Sequence, residues 1–205
     1  NNFSIPTEIH NDSISKINFN SNDNELTIIF AGNLGRFQSL DKIIDAMILL
    51  KERKDIKLII VGDGSIKTVL KSKINKTNVN VQLFDQQPAN VVKQIIKKAD
   101  IGLVSLSANV YKYGYPGKIM TYLEQSKPII ALLEKESEIV KLMKKENYGF
   151  NIPASDPKTI SEFLIKLSEN KSWKLKLSLN AKKAYDKHFS RDKILSKWSK
   201  VLDIQ

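Results

Sequence analysis

Residues 26–41 read Leu-Thr-Ile-Ile-Phe-Ala-Gly-Asn-Leu-Gly-Arg-Phe-Gln-Ser-Leu-Asp, and the order of residue types along them decides the fold. Leu26–Ala31 is an apolar run without the polar alternation of a half-solvated strand, so both of its faces are buried. Gly32-Asn-Leu-Gly35 supplies turn chemistry. From Leu40 the spacing changes, and Leu40, Ile43, Ile44, Met47 and Leu50 fall on one face of a helix. A buried strand, a glycine turn and an amphipathic helix make one β–α unit.

The unit recurs along the chain. Ile56–Val61, Val79–Phe84, Ile101–Leu106 and Pro128–Leu133 read as further buried strands, with Tyr148–Ile152 a weaker sixth. Val91, Val92, Ile95 and Ile96 form a second helical face, and Ile139, Val140, Leu142 and Met143 another. Gly62-Asp-Gly-Ser65 and Asp85-Gln-Gln-Pro88 punctuate them. Doubly buried strands alternating with helices predict an α/β fold, a doubly wound, Rossmann-like parallel sheet. Ligands of such sheets sit at the carboxyl ends of the strands, where the strand order reverses. The loops that matter are therefore Gly32–Ser39, Gly62–Ser65, Phe84–Pro88 and Ser105–Gly117.

The two ends differ from this core. Residues 1–24 are rich in Asn and Ser and read as a linker or arm, residues 25–187 as the folded domain, and residues 188–205 as a C-terminal helix. Trp198 in that helix needs an apolar surface to pack against. The chain starts at Asn1 without an initiator Met, as expected of part of a longer protein.

Composition narrows the chemistry. With 205 residues and 41% hydrophobic content the chain suits one large domain with a real core. No apolar run is long enough to span a bilayer. Cysteine is absent and only His10 and His188 are present, so disulfides and thiolate metal sites are excluded and neither a metal nor another cofactor is expected. The formal net charge of +11 suits nucleic acid, an anionic membrane face or a phosphorylated ligand. Arginine is limited to Arg36, Arg53 and Arg191 and is not clustered with aromatics, which argues against nucleic acid.

Two segments carry candidate chemistry. In Tyr113-Gly-Tyr-Pro-Gly-Lys-Ile-Met-Thr-Tyr-Leu-Glu-Gln-Ser-Lys-Pro-Ile-Ile-Ala131 a glycine loop opens a helix, with Lys118 in its first turn. A cation there opposes the helix dipole, and a bound phosphate resolves the conflict. Tyr111, Tyr113 and Tyr115 crowd around Gly114, Pro116 and Gly117, where aromatic rings can stack on a sugar. In the other segment, Gly32 and Gly35 let backbone approach a ligand, Arg36 can contact phosphate and Ser39 is a candidate N-cap. The third glycine of a dinucleotide fingerprint is missing, so a dinucleotide-dependent oxidoreductase fails. Asp63 reads as part of a tight turn and Glu124 as a solvated face residue.

Together these pieces resemble the C-terminal, nucleotide-sugar-binding half of GT-B glycosyltransferases, specifically the large retaining family 4. The resemblance runs from about Leu26 to the C-terminus. It rests on Phe30–Asp41, on Leu58-Ile-Ile-Val-Gly-Asp-Gly64, on Asn80–Phe84 with Ala99–Leu106, and on Tyr115–Ala131, which is similar to the variant Pro-Ser-Lys-x-x-Glu-Tyr-Met-Ala-x-Gly-x-Pro.

By that resemblance Arg36 and Lys118 are the catalytic cations that hold the donor diphosphate and stabilise its leaving charge. Gly32, Asn33, Gly35 and Gln38 line the donor, Phe84 and Gln86 meet the base, and Tyr113, Gly114, Gly117 and Thr121 meet sugar and ribose. The implied substrate is a UDP- or GDP-sugar. The implied partners are an N-terminal acceptor domain, to which the last helix crosses back, and an anionic membrane face carrying a lipid-linked acceptor. The implied setting is bacterial polysaccharide assembly in the cytoplasm, peripheral to the inner face of the plasma membrane.

The family's paired carboxylates, with seven residues between them, fall at Tyr113 and Thr121, and neither is acidic here; its loop lysine falls at Asp41, beside Lys42. This departure keeps open a second reading, a non-catalytic scaffold or binding module that retains the fold.

Overall fold

The computed structural model of the protein describes residues 24–152 and 156–201. The arm expected over residues 1–24 lies almost wholly outside the described residues, as do the last four residues of the expected C-terminal helix. Six strands occupy the predicted places: β1 (Leu26–Ala31), β2 (Ile56–Val61), β3 (Val81–Phe84), β4 (Ile101–Ser105), β5 (Ile129–Leu132) and β6 (Gly149–Asn151). All pairings are parallel and the order is β3-β2-β1-β4-β5-β6. The chain order thus reverses between β1 and β4, the switch point of a doubly wound sheet.

Eight α-helices lie among the described residues: α1 (Leu40–Leu49), α2 (Lys67–Thr77), α3 (Ala89–Lys98), α4 (Lys118–Glu124), α5 (Glu138–Glu146), α6 (Pro157–Glu169), α7 (Trp173–His188) and α8 (Arg191–Val201). Alternate residues of each strand feed opposite layers. Ile29, Ile59, Val104 and Ile129 pack with α3, α4, α5 and α7. Leu26, Ile28, Phe30, Leu58 and Leu103 pack with α1, α2 and α6. The unbroken apolar strands are thereby explained, since each side chain has a helix to cover it.

Sequence signals missed α2. Only Leu70 and Ile74 of its eleven residues are buried, too sparse a stripe to reveal the helical period. Near the expected boundary at residue 188, α7 runs through His188 and α8 begins at Arg191. Trp198 remains 49% exposed on α8.

The strands β1 and β4 meet only at their amino ends. There Thr27 N–H donates to Asp100 Oδ2 at 2.8 Å and Asp100 N–H donates to the Thr27 carbonyl at 2.9 Å. The ladder continues through Ile28–Ile101 and Ile29–Gly102 and then stops. Beyond it the Tyr122 hydroxyl takes the place of the missing strand, accepting from Ala31 N–H at 2.9 Å and donating to the Ile29 carbonyl at 3.3 Å. Tyr122 is fully buried. Gly102 makes room for its ring, since a Cβ there would lie 2.5 Å from the Tyr122 ring.

Replacing Tyr122 by Phe leaves the buried Ala31 N–H without its partner and is expected to cost about 1–3 kcal/mol. Gly102→Ala forces the ring to move and is expected to cost at least as much. Urea unfolding monitored by circular dichroism checks both, and an unchanged midpoint in Tyr122→Phe would remove the hydroxyl from this account.

Candidate functional site

Splaying β1 from β4 opens a cavity of about 790 Å³ above the carboxyl ends of the strands. Its floor is the end of β1 and β2, with Ala31, Gly32 and Asn33 beside Val61, Gly62 and Asp63. One wall is α3 and the loop before it, contributing Gln86, Gln87, Val92 and Lys93. The opposite wall is the start of α4, with Gly117, Lys118, Thr121 and Tyr122. A pocket of this size, mostly apolar with a few convergent polar groups, suits a small organic ligand.

Two loop backbones close the floor. A Cβ on Gly62 would lie 1.9 Å from the Gly32 carbonyl oxygen, so the turns after β1 and β2 can touch only because residue 62 has no side chain. Leu34 N–H donates to the Asp63 carbonyl at 2.8 Å across the same seam. The Asp63 carboxylate accepts from Gly64 N–H at 2.7 Å and from Lys67 at 3.1 Å, and these contacts pull its pKa below the usual range. Asp63 therefore serves its tight turn, as its sequence context suggests, and also borders the cavity.

Lys118 dominates the electrostatics. Its ammonium donates to Gln38 Oε1 at 2.6 Å and lies 3.6 Å from the centre of the Phe30 ring. Its stem runs against Gly32, where a Cβ would sit 3.3 Å from Lys118 Cε. Among the described residues no carboxylate pairs with it, and burial pulls its pKa from 10.5 down to about 7. A half-buried cation with only a neutral amide and an aromatic face around it can accept an anion. Because α4 has only seven residues, this capacity rests on the ammonium more than on a helix dipole.

The other expected residues divide. Gly32, Asn33, Gln86, Gly117, Lys118 and Thr121 border one cavity. Gln38 reaches it through its bond to Lys118. Arg36 is exposed on the short 3-10 turn Arg36–Gln38, outside the cavity wall, and Gly35 caps that turn. Ser107 docks the turn, its N–H donating to the Phe37 carbonyl at 2.8 Å. Phe84 packs into the core instead of lining the cavity.

The tyrosines do not converge. Tyr113 is 88% exposed, Gly114 is exposed beside it, Tyr111 packs on the core and Tyr115 lies 6.1 Å from the ring of Phe189. Two local readings change. Ser39 sits at the N-cap position of α1 in a left-handed conformation with φ 45°, and its hydroxyl bonds Ser107 at 2.9 Å rather than capping the helix. Glu124 is half-buried and ion-paired to Lys93 at 3.0 Å rather than solvated. Lys93 escaped notice because it looks like any lysine on a helix that carries three.

Comparison with known proteins agrees with this architecture. Residues 25–170 match the family model described as glycosyl transferases group 1. A curated relative, the probable glycosyltransferase WbjE of Pseudomonas aeruginosa, is 28% identical over 141 residues, covering 68% of this chain and 35% of its own length. Among solved structures, Anabaena Alr3699/HepE in complex with UDP-glucose superposes with a TM-score of 0.74 at 16% identity, over 89% of this chain and 50% of that one. The catalytic domain of the Helicobacter pylori cholesterol-alpha-glucosyltransferase superposes with a TM-score of 0.65 at 20% identity, over 78% and 98%. The chain thus spans about a third of WbjE and half of HepE. At these identities the solved structures establish the fold alone, a Rossmann-like half of the GT-B architecture.

An anion bound at Lys118 restores the favourable charged state and raises its pKa from about 7. Between the free and bound values, binding therefore takes up a proton, and affinity falls as pH rises above about 7. Below about pH 6 a terminal phosphate gains its own proton and affinity falls on that side too. A phosphate monoester titrated calorimetrically at pH 8, in buffers of different ionisation enthalpy, is expected to show uptake approaching one proton. Lys118→Met should abolish that uptake.

Proposed function

The chain belongs to the glycosyl transferases group 1 family, and we propose that it is the donor-binding half of a retaining, family 4-type glycosyltransferase. Its donor is a UDP- or GDP-sugar and its acceptor a saccharide, lipid-linked, in cell-surface polysaccharide assembly. The observation that carries this reading is the Lys118 ammonium, half-buried at the strand-order switch and paired with no carboxylate among the described residues. A nucleoside diphosphate supplies the missing charge.

In this reading the diphosphate lies over Gly32 and Gly117 against Lys118, and the nucleoside extends along α3 toward Gln86 and Gln87. Arg36, two residues from the Gln38 that holds Lys118, adds a second cation from the loop. As the glycosidic bond breaks, both cations stabilise the charge that develops on the leaving diphosphate. The acceptor is held by a preceding N-terminal domain, so the described domain alone binds donor without transferring sugar. The basic surface favours work beside an anionic membrane; among the described residues no helix is long and apolar enough to cross one.

The same fold can also serve as a binding module without turnover, and Tyr113 and Thr121 in place of two carboxylates favour that second reading. Sugar release from UDP- or GDP-sugars by the protein carrying its acceptor domain separates the two.

Calorimetric titration is expected to show binding of UDP or GDP, and no heat or thermal shift with either would sink the donor-site reading. Lys118→Ala is expected to weaken the nucleoside diphosphate about tenfold or more while leaving the nucleoside almost unchanged. Equal losses for both would reduce Lys118 to a surface residue.

A further inference from the structure

The cavity contains a second lysine whose circumstances are opposite to those of Lys118. Lys93, from α3, borders the cavity opposite α4, and its ammonium meets both oxygens of Glu124, at 3.1 and 3.0 Å. The two side chains are only 16% and 23% exposed. Lys118 has a charge without a counterion; Lys93 has one that is already neutralised. An ammonium carries three N–H donors, and one carboxylate leaves at least one of them available to the cavity.

A neutralised ammonium is a poor seat for phosphate, because Glu124 repels a second anion. It is a good partner for neutral hydroxyl groups, which accept from the ammonium while Glu124 holds it in place. Position supports the same distinction. Lys118, Thr121 and Glu124 follow at three-residue steps along α4, so the backbone that carries Glu124 is about 9 Å along the helix axis from the one that carries Lys118. Thr121, between them, also borders the cavity. A ligand with its phosphate at Lys118 and hydroxyls one sugar ring away spans this arrangement.

We propose that Lys93, oriented by Glu124, recognises the ribose hydroxyls of the nucleotide donor. Lys93 is the contacting residue and Glu124 the positioning residue. The assignment rests on the donor-site reading above and gives the cavity its discrimination between ribose and its deoxy analogues. It also supplies polar recognition at the ribose although residue 121 is a threonine.

The test compares UDP with 2′,3′-dideoxy-UDP, and GDP with its dideoxy analogue, by calorimetry on the chain and its variants. The unsubstituted protein is expected to prefer the ribonucleotide about tenfold, the scale of losing hydrogen bonds to a charged group. In Lys93→Met, which keeps most of the stem, the two forms are expected to bind within about twofold of each other. Glu124→Gln should reduce the preference partly. Lys118→Ala should weaken both forms in parallel and keep their ratio.

Lys93→Met binding both nucleotides more weakly but with the ratio intact would make the pair a strut between helices and overturn the assignment. A preference below twofold in the unsubstituted protein would overturn it as well. Absence of all nucleotide binding before any substitution would instead remove the donor site itself, and the ribose contact with it.

Discussion

The Tyr122 hydroxyl is the wedge on which the cavity depends. A parallel sheet with reversed order needs two neighbouring strands to part at their carboxyl ends, yet every buried backbone N–H and carbonyl there must still find a partner. Tyr122 resolves the conflict by offering one acceptor and one donor to β1 at Ala31 and Ile29, at the level where β4 leaves the ladder. Asp100 holds the same two strands together at the other end, and its second oxygen pairs with Lys174 of α7. The opening is thus confined to one end of the sheet, and the hydroxyl that permits it is rooted in the helix that carries Lys118 and Thr121.

Placing those groups on one short helix couples the core to the chemistry. Ile119, Met120, Tyr122 and Leu123 are the buried face of α4, and Lys118 and Thr121 are what that packing presents to the cavity. The two cavity lysines differ in charge environment while sharing a residue type. Desolvation without a counterion leaves one of them receptive to an anion; an ion pair compensates the charge of the other. A diphosphate joined to a ribose matches that division in both charge and order.

Much of the fold was legible because the code for it is local. The run Ile56–Val61 needs no context to be read as a doubly buried strand, and the amphipathic face of α1 announces itself through Leu40, Ile43, Ile44 and Met47. The helix α2 was not legible, since four of its eleven residues are lysines and only two side chains are buried. In the site, Lys118 stands out as a cation at the start of a helix, while the tyrosines of the loop before it do not gather at the cavity. Tyr115 satisfies its ring against Phe189, 74 residues away, and Tyr113 stays in solvent.

The sequence by itself determined the alternation of buried strands and helices and the loops that reach the cavity, because these depend on residue spacing and glycine placement. Only the tertiary structure decided which charges act. Lys118 finds an amide and an aromatic ring and keeps its charge unpaired among the described residues, whereas Lys93 meets Glu124, 31 residues away along the chain, across the cavity wall. Lysine is one letter in both places. Its desolvation and its counterion are set by neighbours that folding brings together.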